Sequence, residues 1–159
     1  MRYGMISLAA VLAGCLGGGI ISFEDGEWVV SNMEYETNDC NLMVPEGDLI
    51  IDITKVDADL ISIIWEEEVL DCENLGDGFE CEAIVTVTDF TDNLDAVATN
   101  EAYLSGTFDD SVSGTITLTT SFRCEGNDCA DVEVGGDLEG ENTASLPCTS
   151  ISTSDINKK

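Results

Sequence analysis

Apolar residues recur along most of this chain with a period of two. The clearest run is Val112, Gly114, Ile116, Leu118, Thr120 and Phe122, interleaved with Ser and Thr and followed by Arg123. Side chains of an extended strand point alternately to opposite faces, so such a run gives one apolar and one polar face. Leu49, Ile51 and Ile53 repeat the pattern against Ile50, Asp52 and Thr54, and Ile61, Ile63 and Trp65 follow closely. Phe79, Cys81, Ala83, Val85 and Val87 form another alternation, and Leu104, Gly106 and Phe108 lead through Asp109-Asp110-Ser111 into the Val112 run. Turn signals fall between them at Pro45-Glu46-Gly47-Asp48, Asp57-Ala58-Asp59, Gly76-Asp77-Gly78 and Asp92-Asn93. No long stretch carries the 3.6-residue period of an amphipathic helix, and Asp131 to Val134 has room for a single turn.

Many strands on short connections predict an all-β fold, an antiparallel meander closed as a small barrel or folded as a β-sandwich. A chain of 159 residues has room for one such domain. We place it at residues 23–148 and expect the polar residues 149–159 to form a frayed tail.

Charge narrows the function classes. Asp and Glu number 33 against five Lys and Arg, for a net charge of −28. Phosphate backbones are bound by neutralising cations, so nucleic acid is not an expected partner. The acids are dispersed among apolar residues, which favours a folded domain with a solvated acidic surface. Cation binding is the sharper alternative: Asp89, Asp92 and Asp95, or Asp131, Glu133 and Asp137, supply hard oxygen ligands. Neither set has the spacing of an EF-hand loop, so no metal site is expected.

The first residues change the expected address. Arg2 precedes a short apolar run that ends in Leu12-Ala13-Gly14-Cys15. One positive charge, a run well under the ~20 residues of a membrane span and small residues before a cleavage point form a signal-peptide pattern. The last four residues resemble the lipobox of bacterial lipoproteins. That resemblance implies diacylglyceryl transfer to the Cys15 thiol, cleavage between Gly14 and Cys15, and acylation of the new amine. Residues 1–14 are then leader, and residues 15–22, with Gly17-Gly18-Gly19, a flexible tether. Two or more acyl chains hold a protein stably on a bilayer, so the membrane becomes a partner through Cys15. In such lipoproteins an aspartate after the cysteine favours inner-membrane retention. Leu16 stands there, which favours the outer membrane or cell surface.

With Cys15 lipidated, Cys40, Cys72, Cys81, Cys124, Cys129 and Cys148 remain. An even number in an exported chain predicts three disulfides. Spacing ranks the pairings without excluding the others: Cys72 with Cys81 across a hairpin, Cys124 with Cys129 around a tight turn, and Cys40 with Cys148 joining the two ends of the domain. Zinc is the weaker reading, because CxxC pairs and histidine are both missing.

A second resemblance is carried by short motifs. Gly26-Glu27-Trp28 opens the first strand, as the G-x-W signature does in lipocalins, where the Trp closes one barrel end. Arg123 is similar to the late basic residue that packs across that Trp, and Thr88-Asp89-Phe90 resembles the family's T-D-F/Y motif. The last lies earlier than in the family, and the family's C-terminal helix has no counterpart. The resemblance implies an eight-stranded barrel holding one small ligand or filled by its own side chains.

Without histidine, Ser-His-Asp and Cys-His catalysis and histidine-ligated metals are excluded. Close carboxylate pairs are inevitable among 33 acids, so they do not single out a glycosidase. No enzyme and no cofactor are expected. The chain is expected to be a lipid-anchored surface binding module for a small ligand or protein partner, or else a non-catalytic structural component of an envelope assembly. A pocket lined by Trp65, Ile63 and Phe79 would favour the first, and a packed interior with an exposed apolar patch the second.

Overall fold

The protein is described from a computed structural model over residues 22–65, 67–135 and 143–159. Its strands are β1 (Gly26–Asn38), β2 (Leu49–Lys55), β3 (Leu60–Trp65), β4 (Glu68–Asn74), β5 (Gly78–Cys81) and β6 (Ile84–Asp89). They continue with β7 (Val97–Phe108), β8 (Ser113–Glu125), β9 (Glu133–Gly135), β10 (Thr143–Ser145) and β11 (Cys148–Lys158). The expected turns fall between these strands, except that Gly78 of Gly76-Asp77-Gly78 already opens β5. A single 3-10 turn at Cys129–Asp131 precedes β9. It lies just before the place expected for it, and Glu133 and Val134 are extended instead.

These strands close into one eight-stave antiparallel barrel, which decides between barrel and sandwich. Around the wall the order is β1, β2, β3, β4, β5, β7, β8, β11, and β11 pairs back onto β1. β6 continues along β7 beyond β5, so β5 and β6 together form one stave. The β9–β10 hairpin is a side excursion between β8 and β11.

The inward face follows the alternation. Trp28, Ile51, Ile53, Ile61, Ile63, Phe79, Phe108, Ile116 and Ile156 are buried together in the main core. One end of the barrel is shut by aromatics: Phe108 stacks on Phe23 at 4.5 Å and meets Trp28 and Phe79, each at 5.7 Å between ring centroids. The Trp28 indole donates to the Glu24 carbonyl at 3.0 Å, which satisfies its buried N–H. Outward positions of β7, β8 and β11 are mostly polar, among them Thr99, Glu101, Thr115, Thr117, Thr119, Thr153 and Asp155, whereas β2, β3, β4 and β6 expose Ile50, Ile64, Val69, Val85 and Val87.

The expected C-terminal tail is the strand that completes the wall. β11 pairs with β8 from Cys148↔Phe122 to Asn157↔Ser113 and with β1 from Trp28↔Lys158 to Asn38↔Ser150. The domain therefore continues past residue 148 to the end of the chain. The inward residues of β11 are Cys148, Ser150, Ser152, Ser154 and Ile156, all buried. Three of these five are serines, so the apolar alternation that reveals other strands is absent here. The extended preference of Thr and Ile, and pairing on both sides, hold it in place.

Two satellite clusters sit at the end away from Trp28. Cys40, Ala144 and Cys148 gather Leu42, Phe122, Val134 and Leu146, while Ala96, Ala98 and Val132 gather Phe90, Leu94, Cys124 and Cys129. The cysteines pair as Cys40–Cys148, Cys72–Cys81 and Cys124–Cys129, the pairing that spacing ranked first.

Candidate functional site

The barrel wall splits along one seam. β4 pairs with β5 over Asn74↔Phe79, Glu73↔Glu80 and Cys72↔Cys81. Beyond that pair the next stave is β6, which hydrogen-bonds to β7 alone among the described residues. Register explains the departure: from Glu80↔Ser105 to Ile84↔Ala102 the β5–β6 side uses four residues and β7 three. One extra residue is a β-bulge, which bends a strand and reverses which face its later residues occupy. The run read as one continuous alternation is therefore broken. Phe79 and Cys81 face inward, but Val85 and Val87 point to solvent at 56% and 61% exposure. The Cys72–Cys81 bridge lies at the fork and ties the two staves where they part.

A cavity of about 380 Å³ opens at this split. Leu104 and Leu70 form its buried inner wall, and Leu118, Ala102, Ile84 and Trp65 complete its apolar sides. The remaining two lining residues are Glu68 on β4 and Glu82 between β5 and β6. Both are exposed, so one carboxylate stands on each lip and neither lies deep. The Glu82 amide donates to the Asp71 carbonyl at 3.3 Å, which fixes the base of the gap.

Trp65 and Leu118 also line a second cavity of about 440 Å³ on their other side. Met33 and Tyr35 of β1 and Leu42, Met43 and Pro45 of the following loop cover it. Residue 32 sets up this wall: Asn32 adopts φ 53°, and the bulge between Ser31 and Glu34 brings Met33 and Tyr35 to the inner face. The Tyr35 hydroxyl donates to the Met43 carbonyl at 3.3 Å, and burial holds its pKa above the usual tyrosine value. At the top, the Ser150 hydroxyl donates to Asn38 Oδ1 at 2.8 Å, and the Asn38 amide donates to the Leu42 carbonyl at 2.9 Å. These bonds fold the loop over the barrel mouth. Asn100, inward from β7 beyond Ala102, keeps Oδ1 buried with no hydrogen-bond partner.

Several expectations place differently. Of Trp65, Ile63 and Phe79, only Trp65 lines a cavity, because Ile63 and Phe79 are 0% exposed within the packed core. Their alternation marks inward residues but not the depth at which a barrel is filled. Arg123 does not lie across Trp28. It faces outward, paired with Glu101 at 2.9 Å, nine residues along β8 from the Gly114 that sits beside Phe108. At ~3.3 Å per residue that is roughly 30 Å from the aromatic end. The cross-strand partners of Trp28 are Lys158 on β11 and Ile51 on β2. Thr88-Asp89-Phe90 ends β6, with Phe90 in a satellite cluster.

Asp89 and Asp95 are committed to loop bonds. Asp89 accepts from the Thr91 amide at 2.8 Å, and its bonds to Thr91 hold its pKa below the usual carboxylate range. Asp95 accepts from both the backbone and the side-chain amide of Asn127. No group of three acidic or cysteine ligands converges among the described residues. Cys15, the lipobox, the Gly17-Gly18-Gly19 tether and Asp137 lie outside the described residues. Sequence reasoning missed the cavity's Glu68, Leu70, Glu82, Ile84 and Ala102. The alternation of Glu68, Leu70 and Cys72 is the signal that could have marked β4.

Compared with known proteins, the chain matches no family model, no curated protein and no solved structure.

Proposed function

We propose that this protein is a non-catalytic binding module, held at the cell surface through a lipidated Cys15, that takes a small apolar ligand into the cavity at the split seam. The observation that carries this reading is the cavity itself. The lower barrel is filled by its own side chains, whereas the space between Trp65, Leu70, Leu104 and Leu118 is not. Its volume and largely apolar lining are those of small-molecule pockets. Three disulfides suit an oxidising compartment. Phe23 and Glu24 pack at the aromatic end, away from the seam.

Tryptophan emission tests the cavity. Trp28 is already sealed at the aromatic end, so a neutral apolar probe such as decanol is expected to shift emission through Trp65, and W65F to abolish the shift. Ala102→Leu, which fills the space from one side, should weaken decanol binding while leaving the fold intact by near-UV circular dichroism. No response in the wild type up to the solubility of decanol would remove the reading. Intact mass of membrane-purified protein, before and after reduction and alkylation, tests the anchor. A diacylated species beginning at Cys15 is expected, and an unlipidated mass would discard it.

A second reading, a component of a surface assembly, draws on Ile64 and Val69 beside one lip of the seam and Val85 and Val87 beside the other. All four are exposed, at 44%, 62%, 56% and 61%. Apolar residues next to an unpaired strand edge favour a protein partner. Cross-linking that depends on Val85 and Val87 would support it over the small-ligand reading.

A further inference from the structure

We infer that the seam cavity selects a cationic amphiphile, an apolar tail carrying an ammonium or guanidinium head, and discriminates against fatty acids and other anionic lipids. This rests on the cavity being a ligand site and adds the chemical class of the ligand. The apolar inner wall takes the tail, as argued above. The head then lies at the opening, between Glu68 on the β4 lip and Glu82 on the β5–β6 lip.

The cations of the described chain are all elsewhere. Arg123 is paired with Glu101 on the outer face, Lys159 with Glu27 at 3.1 Å, and Lys158 donates to the Glu27 carbonyl at 3.2 Å. Lys55 ends β2, where its amide donates to Asp25. An anionic head at the seam would therefore meet no cation and would face two carboxylates. A cationic head gains both of them, and Trp65 in the same wall offers an aromatic face.

The size of the effect follows from the exposure of the lips. Each exposed ion pair is worth about two- to five-fold in affinity, with like charge costing a similar factor. Two lips therefore predict at least ~10-fold preference for cation over anion at low salt, which shrinks as the Debye length falls to ~3 Å near 1 M.

The experiment uses three probes of equal chain length, decylammonium, decanol and decanoate, titrated against the folded protein with Trp65 emission as the readout. The general field of a chain of net charge −28 also attracts cations, so variants must separate it from the lips. E68Q/E82Q removes two charges at the seam. D77N/D109N removes two exposed charges from turns at the aromatic end. Expected are decylammonium tightest, decanol intermediate and decanoate weakest, with the preference collapsing in E68Q/E82Q and persisting in D77N/D109N, which also leaves decanol affinity unchanged. Equal affinity for decanoate, or a preference that survives in E68Q/E82Q, would overturn the ligand class while leaving the cavity as a neutral site. Silence from all three probes would overturn the cavity reading and this inference with it.

Discussion

Removing the Cys40–Cys148 bridge should cost far more stability than removing either short bridge. The bond joins residues 108 apart, just beyond the Asn38↔Ser150 pair that ends the β1–β11 ladder. In the chain-entropy account, closing a loop that long restricts the unfolded chain by about 4.8 kcal/mol at 25 °C. The same relation gives about 2.6 kcal/mol for Cys72–Cys81, nine residues apart, and about 2.1 kcal/mol for Cys124–Cys129, five apart. Packing adds to the contrast, since Cys40 is 0% exposed and Cys148 7%, at the centre of a satellite core. The assay is urea unfolding of C40A/C148A, C72A/C81A and C124A/C129A beside the wild type. With an m value near ~2 kcal/mol/M, the long bridge alone should lower the midpoint by about 2.4 M. If C40A/C148A lost no more than C124A/C129A, loop closure would not set the ranking, and the staples would act through local packing.

Two other perturbations read different parts of the barrel. A Cβ at Gly106 would sit 2.6 Å from two ring carbons of Phe79. Gly106→Ala should therefore destabilise by about 1–3 kcal/mol, with a fall in Tm of roughly 4 °C for each. Phe79→Leu in the same chain should recover part of the loss, and a Tm unaffected by G106A would show that the ring is not held there. Asp110 accepts from the Val112 amide at 2.8 Å, and this bond, with Ser113, holds its pKa below the ordinary carboxylate range. A depressed folded pKa gives stability that is present above the unfolded value near pH ~4 and lost as pH falls through the folded one. The stability gap between wild type and D110N should therefore be full at pH 6 and close below pH ~4. A gap independent of pH would remove the carboxylate from the β7–β8 turn's stability.

What the sequence determined alone is what short-range physics controls. Ile51, Ile53, Ile61, Ile63, Leu104 and Ile116 were legible as inward residues because their strands keep strict alternation. Asp57-Ala58-Asp59 and Gly76-Asp77-Gly78 were legible as turns by their own chemistry. The short disulfides follow from strands and turns that are neighbours in the chain, and the long one from what remains. The tertiary structure decided everything that depends on how those pieces meet. Closure into a barrel needs β11 between β1 and β8, and its inward serines carry no apolar signal that would reveal it. The cavity depends on one extra residue near Glu82, which turns Val85 and Val87 outward and parts β6 from β4. A bulge is a mismatch of register between two strands, so neither sequence contains it until they are paired. Glu68 and Glu82, 14 positions apart among 33 acids, become the two lips of one opening only through that mismatch.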